Sequence, residues 1–157
     1  CELDLAAVPM QDILLVEGNL QDARTALQSF KVHGLVNGIH LASEGPEALD
    51  FLLSREALAT RSEAQPSLIL LSLVLPIIGG LEVLRIIKAD PRTRHIPVVV
   101  LISSASDLDI QTAMKFQADA VIEKPATFHK LLLAAKRLGV SLSHEKHRLS
   151  AGDRLAR

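Results

Sequence analysis

The feature that most constrains this chain is Ser67–Leu75, SLILLSLVL, an almost unbroken apolar run. A strand with that composition has no face to offer water, so it belongs inside a parallel sheet covered on both sides. Four shorter stretches accompany it: Asp12–Val16, Leu35–Leu41, Pro97–Ile102 and Ala120–Ile122. Helical spacing fills the intervals. Leu20–Lys31 repeats through Ala23, Ala26, Leu27 and Phe30, and a helix opening at Gly45-Pro46 buries Ala48, Leu49, Leu52 and Leu53. Leu81–Ala89 stops ahead of Pro91. Asp107–Gln117 starts from Asp107 as an N-cap, and Thr127–Leu142 starts from Thr127. Thr60–Gln65 reads as a polar linker. Strands alternating with helices imply right-handed crossovers and a doubly wound parallel sheet. Such sheets bind ligands beyond the carboxyl ends of their strands. The residues to weigh are therefore Glu17-Gly18, Ser72, Ile102-Ser103-Ser104 and Lys124-Pro125.

Charge and aromatic content remove several function classes. A net charge of −1 gives no general attraction to nucleic acid or to an anionic membrane. With four Phe and no Trp or Tyr, platforms for stacking bases are nearly absent. No apolar run approaches the length of a membrane span. Cys1 is the sole cysteine, so no internal disulfide forms, and an acylated first residue is disfavoured because nothing else points to export. The six histidines, His33, His40, His95, His129, His144 and His147, lack metal-ligand spacing. Asp107, Asp109 and Asp119 read as caps and surface charge.

ILLVEGN (Ile13–Asn19), PSLILLSLVLPIIGGLEVLRIIK (Pro66–Lys88), IPVVVLISSAS (Ile96–Ser106) and AVIEKP (Ala120–Pro125) fall in the order and spacing of response-regulator receiver domains, which the chain resembles from Asp12 to about Leu138. The texture is most similar to phytochrome-associated receivers: a polar segment before the third strand, LILL-x-L-x-LP-x-x-x-G, and DP-x-x-x-x-IPVVVL. The resemblance implies a flavodoxin-like five-stranded sheet, order 2-1-3-4-5, with five helices. It divides the chain into an N-terminal extension (1–11), a receiver-like domain (12–142) and a polar tail (143–157).

In that family an aspartate ending the third strand accepts a phosphoryl group. Acidic residues after the first strand help bind Mg²⁺, and a Thr or Ser and a Lys preceding a cis-proline contact the phosphoryl oxygens. Carried onto this sequence, the pocket is degenerate. Glu17 matches one acidic position, but Gly18 stands at the other, where the backbone is expected to tolerate Asp poorly. Ser72 occupies the acceptor position. Ile102 occupies the Thr/Ser position, unless a one-residue slip puts Ser103 there. Val121 replaces the usual aromatic, and Lys124-Pro125 is intact. Glu17 and Lys124 leave the pocket near neutral, which gives Mg²⁺ little reason to shed its waters. Lys124 is expected to turn toward Glu17.

The leading expectation is a pseudo-receiver that is not an enzyme, carries neither metal nor cofactor, and signals from the cytoplasm by phosphorylation-independent docking. Its expected partners are a histidine kinase, a phytochrome or another signalling protein, with no nucleic acid and no membrane. Two alternatives stay open: phosphorylation at a non-standard residue such as Ser72, and a small-molecule sensor using the vacated acidic pocket. A flavodoxin-type cofactor site fits poorly, because Glu17-Gly18-Asn19-Leu20 makes a poor phosphate loop. Ile110, Ala113 and Met114 read as the core stripe of the fourth helix, and Phe128, Leu131, Leu132, Ala135 and Leu138 as that of the fifth. Phe116, Leu133 and Val140 fall off those stripes, marking a candidate homodimer interface through helix four, strand five and helix five.

Overall fold

The computed structural model describes residues 13–35, 37–53, 65–104 and 107–142. The extension, the tail and all of the linker but Gln65 lie outside them, as do His144 and His147. The order of elements is β1 (Ile13–Val16), α1 (Leu20–Val32), β2 (Ile39–Ala42), α2 (Gly45–Leu53), β3 (Leu68–Ser72), α3 (Gly80–Ala89), β4 (Val98–Ile102), α4 (Asp107–Lys115), β5 (Ala120–Glu123) and α5 (Phe128–Leu138). All strand pairs are parallel, in the order β2-β1-β3-β4-β5. This is the flavodoxin-like arrangement the sequence implies.

Side chains alternate across the sheet and divide the core in two. Leu14, Val16, Ile69, Leu71, Val98, Val100 and Ile102 pack with Ala48, Leu52, Val83, Leu84, Ile87 and Ala113 of α2, α3 and α4. Ile13, Leu15, Leu68, Leu70, Val99 and Leu101 face Ala26, Phe30, Phe128 and Leu131 of α1 and α5. β1, β3 and β4 are buried at every position, which is why their sequences run continuously apolar.

Four boundaries differ from the sequence reading by two residues or more, each for a local reason. β2 begins at Ile39 and not Leu35, because Leu35 N–H bonds back to the Phe30 carbonyl in the turn that closes α1. β3 ends at Ser72; beyond it Gly80 N–H bonds the Leu73 carbonyl, folding the intervening residues into a loop. α4 ends at Lys115. Gln117 has φ 74°, and Phe116 N–H bonds Thr112 and Ala113 carbonyls, so Phe116 packs against the core while Met114 is left half-exposed. α5 ends at Leu138, where Gly139 at φ 74° makes the left-handed cap and Val140 folds back onto the core. Of the three interface candidates, Phe116 and Val140 therefore spend their surface internally, and only Leu133 is half-exposed. Thr127 caps α5 as read, accepting from Lys130 N–H. The Asp107 side chain lies outside the described residues. His33 stacks on Phe128 and His40 on Phe51.

Asp119 is more than surface charge. One carboxylate oxygen accepts from Lys88 Nζ at 2.8 Å and from Val98 N–H at 2.8 Å. The same ammonium donates to the Arg94 and Ile96 carbonyls. This knot fastens α3, the start of β4 and the start of β5 at the end of the sheet remote from the candidate site. Asp119→Ala leaves a sheltered amide and a largely buried ammonium short of an acceptor, and is expected to cost about 1–3 kcal/mol in urea denaturation.

Candidate functional site

Three loops converge at the carboxyl ends of the strands. Glu17 directly follows β1, Ser72 ends β3, and Lys124 follows β5 ahead of a cis Lys124–Pro125 peptide. Glu17 is only 3% exposed. A carboxylate so buried must be paired, since removing it from water uncompensated costs several kcal/mol. Its partner is Lys124: Nζ lies 2.8 Å from Glu17 Oε1, as the sequence reading expected. Glu17 Oε2 accepts from Asn19 N–H at 3.1 Å.

Asp22, which the sequence reading did not single out, completes the site. Its Oδ2 accepts from Lys124 Nζ at 3.0 Å, and the same ammonium donates to Ser72 Oγ at 3.2 Å. Asp22 reaches there because Asn19 caps α1, its side chain accepting from Asp22 N–H and setting that first helical turn above β1. A helix-cap pattern beginning two residues after Glu17 was the available signal; an acid in a first turn reads ordinarily as dipole complement. The correction matters for charge. Glu17 and Asp22 against Lys124 give the pocket −1, not zero.

Burial works to lower the pKa of Lys124, but its hydrogen bonds to Glu17 and then to Asp22 outweigh it, and the ammonium is held above its ordinary value. Lys124 is therefore a fixed cation and a poor base. It donates to Ser72 Oγ, whose hydroxyl in turn points to the Val74 carbonyl at 3.5 Å. A serine activated for attack needs the reverse arrangement, with a neutral amine to take its proton.

The remaining candidates separate. Ser103 lines a cavity of about 270 Å³ together with Leu15, Thr25, Leu101 and the three charged groups. Ile102 points to the other face of the sheet, buried among Val100, Leu71 and Ala113. Val121 packs against that same cluster. Gly18 is not in a left-handed conformation, so the obstacle to Asp there is space: a Cβ would lie 2.9 Å from Pro76 Cδ. Gly80 is fixed more tightly, since a Cβ would strike the Ser72 carbonyl.

The residues present do not fit Mg²⁺. Glu17 commits one oxygen to an ammonium and the other to an amide, Asp22 shares the same ammonium, and neither Gly18 nor Ser72 supplies a carboxylate. Among the described residues no cluster of three or more His, Cys, Asp or Glu is placed to hold a metal. None of their helices is long and apolar enough to cross a membrane.

Comparison with known proteins places this geometry in context. A family model described as the response regulator receiver domain matches residues 13–136. Rcp1, a response regulator of Synechocystis, is 32% identical over 116 residues, covering 74% of this chain and 78% of its own. The probable methanogenesis regulatory protein FilR2 of Methanothrix harundinacea is 38% identical over 119 residues, covering 76% and 75%. The structure of the bacteriophytochrome response regulator AtBRR superposes with a TM-score of 0.76 at 36% identity, covering 85% of this chain and 96% of that one.

Substitutions rank the three charged groups. Lys124→Met strands the buried Glu17 carboxylate and should cost about 3–5 kcal/mol. Glu17→Gln leaves Lys124 its Asp22 partner and should cost about 1–3 kcal/mol. Asp22→Asn, at a partly exposed position, should cost at most about 1 kcal/mol. The order is read from urea midpoints at neutral pH. Because the folded pKa of Lys124 lies above the ordinary 10.5, its contribution is complete below that value and fades as pH rises through the folded one. Lys124→Met should lack this alkaline decline.

Proposed function

Because this chain belongs to the response regulator receiver domain family, we propose that it is a signalling module whose output comes from docking to a protein and not from phosphoryl transfer. One observation carries the reading: the lysine that in the family contacts the phosphoryl oxygens here bonds Glu17, Asp22 and Ser72, a hydroxyl at the position of the acceptor carboxylate. Ser72, at the acceptor position, receives a hydrogen bond from a lysine held protonated, and its own hydroxyl is directed to the Val74 carbonyl. Restoring the missing carboxylate at Gly18 runs into Pro76. Each departure from the family pattern removes a different part of the transfer chemistry. The cavity beside Lys124 is smaller than the roughly 300–1,000 Å³ usual for ligand pockets, which weakens the small-molecule alternative.

The resemblance to bacteriophytochrome response regulators and to Rcp1 suggests a histidine kinase, a phytochrome or a similar signalling protein in the cytoplasm as partner. A homodimer through α4, β5 and α5 is a compatible arrangement. With Phe116 and Val140 packed inward, its contact would centre on the exposed Leu133, with Leu108 and Met114 of α4.

Two measurements test these readings. After incubation with acetyl phosphate and Mg²⁺, intact mass is expected to show no phosphate adduct. A Gly18→Asp, Ser72→Asp, Pro76→Ala variant should gain a Mg²⁺-dependent rise in melting temperature that the parent lacks. A stoichiometric adduct on the parent, or the same metal response in it, refutes the phosphorylation-independent reading. Separately, Leu133→Glu should shift sedimentation toward monomer without loss of helix content; a parent that is monomeric at every concentration ends the homodimer version.

A further inference from the structure

The two large apolar side chains exposed most fully do not lie on the α4–β5–α5 face, where Leu108 is 71% exposed. They lie on a loop beside the candidate site. Val74 and Ile77 are 74% and 76% exposed in the loop after β3, and Leu20 is 62% exposed at the start of α1. Pro76, also exposed, joins them: its Cδ is the nearest atom to the position a Gly18 Cβ would take, and the Val74 carbonyl is another neighbour. The loop after β3 is thus pressed onto the loop after β1; its Leu73, Leu75 and Ile78 pack against the core and its Val74 and Ile77 are left exposed.

Ile77 is held there at a cost. Ile78 N–H bonds the Pro76 carbonyl at 2.8 Å, and Ile77 between them has φ 71°. This is a three-residue γ-turn of the strained hand, with a β-branched residue at its apex. Glycine would relieve the turn at no packing loss, since the Ile77 side chain is largely in water. A strained backbone that presents a large exposed side chain suggests a role outside folding.

Charge around this platform is predominantly acidic. Asp22, Glu44 and Glu47 stand on the loops and first helical turns after β1 and β2, with exposed Arg24 a helical turn on from Leu20 and Glu17 buried against Lys124. Apolar side chains beside an excess of acid match a surface with the opposite rim.

From this arrangement we infer that Leu20, Val74, Pro76 and Ile77 form the docking platform for a cationic amphipathic segment of a partner protein, its apolar residues seated on Val74 and Ile77 and its Lys or Arg residues facing the acidic rim. The inference rests on the docking reading above and supplies its surface and the chemistry of its partner.

The test uses the full chain and two labelled synthetic peptides of equal charge, one of Leu and Lys patterned as an amphipathic helix, the other with every Leu replaced by Ser. Fluorescence anisotropy should show the first binding at least about tenfold more tightly than the second, a gap of about 1.4 kcal/mol. Binding should weaken as salt is raised. Val74→Ser and Ile77→Gly should each weaken the first peptide about tenfold, and Ile77→Gly should do so with an equal or higher melting temperature. Equal binding of the two peptides, or unchanged binding by both variants, overturns the platform. Self-association of the parent that Ile77→Gly abolishes assigns the surface to a second copy of the chain and overturns the cationic partner. The mass measurement with acetyl phosphate decides the phosphorylation-independent reading separately: an adduct there with peptide binding intact leaves the platform standing, and the converse refutes the platform alone.

Discussion

A buried carboxylate allows few outcomes. Glu17 sits at the end of a fully buried strand, out of reach of bulk water, and its negative charge has to be matched by something brought to it. In this chain the match is the Lys124 ammonium, which reaches Glu17 from the edge strand two positions beyond β3 in the sheet. By bonding Asp22 and Ser72 as well, one side chain ties together β1, α1, β3 and the β5–α5 connection. The loops after β1, β3 and β5 are thereby fixed relative to one another.

The same ammonium determines what the site can do chemically. Phosphoryl transfer of the family's kind needs surplus negative charge to hold a divalent ion and a nucleophile free to attack. Here the surplus is a single charge, both carboxylates are occupied, and the hydroxyl at the acceptor position is an acceptor from Lys124. The two ends of the sheet use lysine alike: Lys88 with Asp119 at the amino end of β4, Lys124 with Glu17 and Asp22 at the carboxyl ends. One is a structural fastener, and the other is the same device built into the candidate site.

The apolar surface is distributed in a way that helical periodicity does not anticipate. Val140 leaves its helix through the left-handed Gly139, and Phe116, the residue ahead of the left-handed Gln117, also packs against the core. Val74, in an apolar run that looks entirely internal, and Ile77 just beyond it emerge because β3 ends at Ser72 and the chain must clear Gly18 and Gly80. Exposure here is decided by where an element stops.

The sequence by itself determined the five strands, the five helices and the set of strand ends to inspect, while the strand order came from the resemblance to receiver domains. Those elements are encoded locally, in continuous apolar runs for doubly covered strands and in a period of 3.6 for one-sided helices. It also placed Glu17, Ser72 and Lys124 at one site and anticipated the Lys124–Glu17 contact, because a resemblance in spacing carries strand ends with it. Only the tertiary structure decided that Asp22 joins them, that Ser103 lines the cavity while Ile102 faces the opposite core, and that Gly18 is guarded by Pro76. Each depends on where residues distant in the chain approach one another or on which face a strand-end residue turns to, and neither is written in periodicity. The helix-cap geometry at Asn19 swings Asp22 toward a lysine 102 residues away, and no local pattern records that meeting.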